Sequence, residues 1–305
     1  MHGPTPATGR SYALAAAGRT LQLGARPLLM GIVNASPDSF SDGGAFADLD
    51  AHVQLARALL AEGADIVDVG GESAITRRPP VDPAQEIERV VPLVARLVDE
   101  LGALVSVDTY KPAVAEAAIA AGAAIVNDVS GLRDPELAGV CARTGAALVL
   151  MHTRAAPKQR LQDPALYEDV MADVLRFLSE RMDVARAQGV RDEQIVLDPG
   201  PDFAKTPAQT IALLRRFEEL HALGRPLLLA ASRKDFVGAL TGRGPRERLA
   251  GTLAAIGFGV DAGAHVLRVH DVAQTAEFLR VRAALRGESE IDAGLALDDA
   301  LRHAR

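Results

Sequence analysis

Five times along the chain a Gly-Ala pair stands between an amphipathic stretch and a short apolar run that ends in a polar residue, and this unit restricts the fold more than any other feature. The pairs are Gly63-Ala64 before DIVDVGGES, Gly102-Ala103 before LVSVDTYKP, Gly122-Ala123 before AIVNDVSG, Gly145-Ala146 before ALVLMHTR and Gly263-Ala264 before HVLRVHD. Glycine reaches the left-handed conformation that closes a helix, so each pair marks a helix-to-strand turn. Leu28 to Val33, Gln194 to Leu197 and Pro226 to Ala231 lack the pair but also read as buried strands. Apolar residues recur at helical spacing near 48–62, 82–101, 112–121, 135–144, 167–188, 206–222, 245–260 and 271–286. The shortest crossover, from Asp108 to Asn127, has room for a helix of roughly ten residues, enough for a parallel connection.

Strict alternation of strand and helix requires a parallel sheet. Eight of each in roughly 250 residues predict a closed (β/α)8 TIM barrel rather than an open doubly wound sheet. No Gly-x-Gly-x-x-Gly turn follows the first strand, which counts against a dinucleotide fold. Ser11 to Leu23 reads as a two-strand flap turning at Gly18-Arg19 and covering one end of the core. The expected organisation is an N-terminal tail and flap over 1–26, the barrel over 27–290 and a C-terminal tail over 291–305.

With 305 residues, 49% of them hydrophobic, the chain supports a large core. Its net charge of −7 comes without a basic block, which argues against nucleic acid or an anionic membrane as the main partner. The apolar stretch Tyr12 to Ala17 is too short to span a membrane or serve as a secretory signal. Cys141 is the single cysteine, so no disulfide forms within the monomer and a reducing cytoplasm fits. The apolar face of Leu249 to Phe258 suits a homodimer interface.

In a parallel barrel all strands end at one face, so residues distant in sequence converge there. Those positions hold Asn34, Asp68 with Glu72, Asp108, Asn127 with Asp128, His152, Asp198, Ser232 to Lys234, and Arg268 with His270. Any single member can be a capping or loop-stabilising group, above all Asp68 and Asp128. His152 reads more readily as a structural hydrogen-bonding group than as a base or ligand. Asp108, Asn127 and Asp198 suit a flat heterocycle with adjacent N–H donors, and Lys234 adds a donor for a ring atom. Arg268 and His270 share one side of a strand, and with Asn34 they can hold an anion and a divalent metal. No zinc-spaced Cys/His cluster, Gly-x-Ser-x-Gly elbow or Walker loop is present.

The ordered motifs MGIVNASPDSFSDGG, DVGGES, SVDTYKP, NDVSG, LDPGPDFAKT, SRKDFVG and RVHD resemble the dihydropteroate synthase family over about residues 27 to 286. That resemblance implies a transferase joining 6-hydroxymethyl-7,8-dihydropterin diphosphate to p-aminobenzoate, with release of diphosphate and formation of 7,8-dihydropteroate. It implies that Asp108, Asn127, Asp198 and Lys234 hold the pterin, with Asp108, Asp198 and Lys234 catalytic. Asn34, Arg77, Arg268 and His270 would serve the diphosphate, with Asn34 also on Mg2+. Phe40, Thr76, Phe203 and Ser232 would serve p-aminobenzoate. Mobile loops, here Ala35 to Gly44 and Ser73 to Pro80, would close over the substrates, with Asp38 to Gly44 as the lid.

The second of these loops departs from the family pattern. Glu72-Ser73-Ala74-Ile75-Thr76-Arg77-Arg78-Pro79 stands where Glu-Ser-Thr-Arg-Pro-Gly is usual, and Pro201, Asp202 and Ala204 replace a Gly-rich run after the sixth barrel strand. Two other readings share the pterin floor: a non-catalytic pterin-binding paralogue and a methyltetrahydrofolate-binding methyltransferase barrel. Turnover separates the first from the synthase, and the anion site at Asn34, Arg268 and His270 separates the second.

Overall fold

The computed structural model describes residues 10–35, 44–72, 79–298 and 301–302. Two antiparallel strands, β1 (Tyr12–Ala16) and β2 (Arg19–Leu23), form the N-terminal flap. Its turn lies at Ala17-Gly18, one residue earlier than the sequence suggested, and both residues have positive φ, 47° and 79°. That left-handed pair matches the twist of a tight hairpin.

Eight parallel strands follow: β3 (Leu28–Asn34), β4 (Ile66–Gly70), β5 (Val105–Asp108), β6 (Ile125–Asp128), β7 (Ala147–Met151), β8 (Ile195–Asp198), β9 (Leu228–Leu229) and β10 (Val266–Val269). Their order is β8-β7-β6-β5-β4-β3-β10-β9. The ring closes where Leu197 bridges Leu227 in parallel and its N–H donates to the Pro226 carbonyl at 2.9 Å. The strands are apolar on both faces, as expected for a sheet enclosed by helices.

The helices are α1 (Gly44–Ala61), α2 (Pro83–Leu101), α3 (Pro112–Ala120), α4 (Glu136–Thr144), α5 (Val170–Ala187), α6 (Pro207–Arg215), α7 (Asp235–Thr241), α8 (Leu249–Asp261) and α9 (Val272–Arg286). All five Gly-Ala glycines have positive φ. In four of the pairs the alanine N–H reaches back to a last-turn carbonyl: Ala64 to Leu59, Ala103 to Leu97, Ala123 to Ala118 and Ala264 to Gly259. The pair therefore ends a helix and starts the next strand in two residues.

Three boundaries differ from expectation. The Pro226–Ala231 strand shrinks to Leu228–Leu229, because the chain leaves the sheet to reach Arg233, whose φ is 58°. The 206–222 helix stops at Arg215 and continues as a 3-10 turn from Phe217 to Leu223, and the 245–260 helix begins only at Leu249 after a 3-10 turn. The seven-residue α7 has no signature in the sequence, since it is too short to show a period and starts among the polar residues of SRKD.

The flap closes the end of the barrel where the strands begin. Leu14, Ala16 and Leu23 pack with Met30, Ile66, Ile125, Val149, Val196, Leu228 and Val266 in a buried cluster inside the ring. A larger core lies between sheet and helices. With that mouth plugged, the end where the strands finish is the one left open among the described residues.

Candidate active site

At that open end lies a cavity of about 990 Å³ lined by Asn34, Asp108, Asn127, Asp198, Phe203, Ser232, Lys234, Arg268 and His270, among others. This volume suits two small substrates side by side. Strand register explains the convergence: Asn34 pairs with Gly70, Gly70 with Asp108 and Asp108 with Asn127, so four neighbouring strands bring these residues to one level. Phe40, Thr76 and Arg77 lie outside the described residues, as do residues 38–43 of the expected lid and residues 73–78 of the second loop.

Charge pairing organises the floor. Arg268 donates through Nε to Asp68 Oδ2 at 2.6 Å and through Nη2 to Asp108 Oδ2 at 2.7 Å. Asp68 also accepts from Asn127 Nδ2 at 3.2 Å and is fully buried, so it is an inner anchor rather than a cap. Burial alone would lower the Arg268 pKa, but Asp68 and Asp108 outweigh it and hold the guanidinium above its ordinary value. Burial pushes the Asp108 carboxyl up to about 7 despite Arg268, with Asp68 adding to the rise. Asp198 is also raised by burial, although the Gly200 N–H donates to its Oδ1 at 2.7 Å. Lys234 is lowered by burial against the pull of Asp202 and Asp198.

Opposite this floor, Lys234 Nζ sits 4.2 Å from the centroid of the Phe203 ring, a cation–π contact that ties the amine to an apolar wall. Ser232 Oγ lies 3.0 Å from His270 Nδ1 and accepts from the His270 N–H at 3.2 Å. The His270 imidazole opens on the cavity, yet desolvation by the walls and the nearby Arg233 and Arg268 push it down to about 4. A neutral imidazole is thus available there to hydrogen-bond an anion. Asn34 ends β3 beside the Gly70 and Asp108 positions, with its Oδ1 near the former.

Two strand-end residues have the bland roles open to them. Asp128 accepts from the backbone N–H groups of Ser130 and Leu132, capping its own loop. His152 is fully buried, with Nε2 3.0 Å from Asp173 Oδ2 and Nδ1 2.8 Å from Lys205 Nζ. Glu72 accepts from Lys111 Nζ at 2.6 Å, a cation shared with Glu86 and the Val81 carbonyl. Lys111 and Lys205 were not singled out in the sequence. Each sits in a quoted motif, SVDTYKP or LDPGPDFAKT, yet nothing in hydropathy or spacing separates them from surface lysines.

The pterin binding enzyme family model matches residues 30–270. The chain is 40% identical over 270 residues to the dihydropteroate synthase of Bacillus subtilis, covering 88% of this chain and 92% of that one. It is also 40% identical over 268 residues to the Escherichia coli K12 dihydropteroate synthase, covering 88% and 94%. Among solved structures, the Xanthomonas albilineans dihydropteroate synthase with 4-aminobenzoic acid superposes with a TM-score of 0.83 at 42% identity, covering 91% of this chain and 99% of that one. The same enzyme in complex with 7,8-dihydropteroate gives 0.80 at 42% identity, with coverage of 90% and 98%. A parallel barrel with a polar, charge-paired mouth and this extent of likeness leave one assignment: the chain belongs to the dihydropteroate synthase family of pterin binding enzymes.

Proposed function

We propose that the chain condenses 6-hydroxymethyl-7,8-dihydropterin diphosphate with p-aminobenzoate to give 7,8-dihydropteroate and diphosphate, a transferase step of folate biosynthesis. The observation that carries this reading is that Asp108, Asn127, Asp198, Lys234, Phe203, Ser232, Arg268 and His270 all line one cavity. Asp108, Asn127 and Asp198 accept from and donate to the pterin edge, and Lys234 donates to a ring atom. Arg268, His270 and Asn34 serve the diphosphate, and Arg77, outside the described residues, is assigned to it by the family resemblance. The C–O bond to diphosphate breaks first, leaving a cationic pterin methylene that the carboxylates of Asp108 and Asp198 stabilise. The arylamine nitrogen, its ring against Phe203 and its carboxylate toward Ser232, then forms the C–N bond and loses a proton. Phe40 and Thr76, outside the described residues, are assigned to the same substrate by the family resemblance alone.

Mg2+ fits the donors present. The carboxamide oxygen of Asn34 is a hard ligand, and the described residues contain no group of three His, Cys, Asp or Glu that could form a protein cage. Asn34 would hold the ion, which would supply charge neutralisation for the departing diphosphate.

A homodimer is supported by Leu240, Phe258, Val281 and Leu285, exposed by 69%, 50%, 60% and 83% on the neighbouring helices α7, α8 and α9. A cytoplasmic setting is supported by the buried lone thiol of Cys141, and no described helix is long and apolar enough to cross a membrane. The deciding experiment incubates the protein with the pterin diphosphate, p-aminobenzoate and Mg2+. Dihydropteroate and diphosphate are expected in equal amounts, and pterin binding with no product at saturation overturns the reading.

A further inference from the structure

We propose that Lys205 is a positioning residue whose buried Nζ gathers the backbone of the β8–α6 loop by hydrogen bonds and thereby holds Phe203 against the arylamine. The inference rests on the arylamine site proposed above and adds a residue that reaches that site only through the loop.

The loop that carries Phe203 has an unusual backbone. Gly200, Asp202 and Ala204 all have positive φ, at 63°, 65° and 52°, and two of these three are not glycine. A Cβ at Gly200 would lie 2.1 Å from the His152 carbonyl oxygen, so the chain presses onto β7's continuation. Left-handed L-residues persist only where surrounding contacts over-determine them. Here the contacts converge on one side chain. Lys205 is fully buried, and its Nζ lies 2.9 Å from the Gly200 carbonyl, 3.1 Å from the Phe203 carbonyl and 2.8 Å from His152 Nδ1.

An ammonium has three N–H donors, and these three acceptors match it one for one. Burial lowers the Lys205 pKa to about 7 against the pull of Asp198, and the donor that a neutral amine would lose among these three acceptors opposes that fall. With Nδ1 accepting, His152 carries its proton on Nε2 and donates to Asp173, which Arg154 and Arg176 also hold. The relay thus anchors Nζ to the start of α5. The Tyr167 hydroxyl fixes the next carbonyl, Ala204 O, at 2.9 Å, and Asp202 is tied to Thr210 and the Phe236 N–H. With its carbonyl held from behind, Phe203 presents its ring to the cavity beneath Lys234. Lys205 itself does not line that cavity.

The test compares Lys205→Met and His152→Leu with the wild-type chain, reading kcat and the KM for each substrate, together with p-aminobenzoate binding by calorimetry in the presence of pterin and diphosphate. Displacing the Phe203 wall raises the arylamine KM and its calorimetric Kd by roughly tenfold or more in Lys205→Met, while the pterin diphosphate KM stays within about twofold. His152→Leu, which keeps the amine but removes its third acceptor, shifts the arylamine values in the same direction by a smaller factor. If Lys205→Met does not fold, His152→Leu decides alone. Arylamine KM and Kd unchanged in a folded variant, or both substrates weakened in parallel, overturn the proposal. Wild-type protein that forms no dihydropteroate would refute the arylamine reading instead, a separate outcome.

Discussion

Replacing Asp108 by Asn separates catalysis from stability, because the carboxylate that serves the floor is held there at a cost to the fold. Burial beside Asp68 raises its pKa to about 7, so between the unfolded value and that one the native state binds the extra proton. The sign follows: stability falls as pH rises from about 4 to 7, and the loss is complete above 7. The rise from an ordinary aspartate near 3.9 corresponds to ~4 kcal/mol at pH 8, as an upper figure. Asn keeps the shape and removes the charge, so the variant escapes this loss. A chain of 305 residues unfolds with an entropy of roughly 0.6 kcal/mol/K, which makes the variant's Tm higher by up to roughly 6 °C at pH 8. At pH 4.5 the difference shrinks to about one degree. Over the same comparison kcat/KM at pH 8 drops by roughly 10²- to 10³-fold, as for loss of one preorganised electrostatic group. Calorimetric scans at both pH values and at one scan rate, with steady-state kinetics, provide the readout. A variant less stable than wild type at pH 8, or a Tm difference that ignores pH, refutes the account of Asp108.

Lys234→Ala removes the donor proposed for the pterin ring and the cation over Phe203, and turnover should fall by roughly 10²-fold or more with the far-ultraviolet circular dichroism spectrum unchanged; full activity would take Lys234 out of the site. A pH effect is also expected at the other end of the barrel, where His265 Nδ1 accepts from the Leu227 N–H at 3.1 Å and Nε2 donates to the Arg10 carbonyl at 3.0 Å. Burial lowers this histidine's pKa, so its contribution is complete above the unfolded value of about 6.5 and is lost as pH falls below it. His265→Gln should therefore flatten the decline in Tm between pH 7.5 and 5.5, and an unchanged slope would exclude His265 as a source of that decline.

The barrel was legible because Gly-Ala does two jobs at adjacent positions, a left-handed stop and a returning N–H, and few other local structures need both. Where that device is missing, boundaries blur. β9 has two paired residues where six were read, because apolar Ala230 and Ala231 belong to the departing chain rather than to the ladder. Site positions were legible for a topological reason: parallel strands deliver their last residues to one rim, and chemistry-bearing side chains stand there. Partnerships were not. Arg268 reads as an anion-binding residue by strand position, yet it is paired with Asp68 and Asp108, 200 and 160 residues away in sequence, across the barrel floor. Register along one strand carries no information about which opposite charge lies across the ring. Lys205 stayed hidden for a related reason, since only the folded loop reveals that three acceptors surround its amine.

That double pairing of Arg268 bears on how one floor can serve a ring and an anion in turn. An arginine held only by Asp108 would be left as an unpaired buried cation whenever a ligand took that carboxylate, a costly state. Asp68 prevents this, because it is fully buried and holds Nε rather than Nη2. A pterin that claims Asp108 therefore frees one edge of the guanidinium while the other stays anchored, and the freed edge can turn to the diphosphate. In a structure with pterin diphosphate bound, the Nε to Asp68 contact should persist near 2.6 Å while the Nη2 to Asp108 contact, now 2.7 Å, lengthens or breaks. Asp68→Ala should then weaken diphosphate-bearing pterin more than the bare pterin, since loss of the Asn127 contact bears on both ligands while release of the Arg268 Nε, with Asp108 left in place, bears on the proposed diphosphate contact alone. Equal losses for both ligands in binding isotherms would mean that Asp68 supports the ring pocket as a whole and that Arg268 does not divide its work in this way.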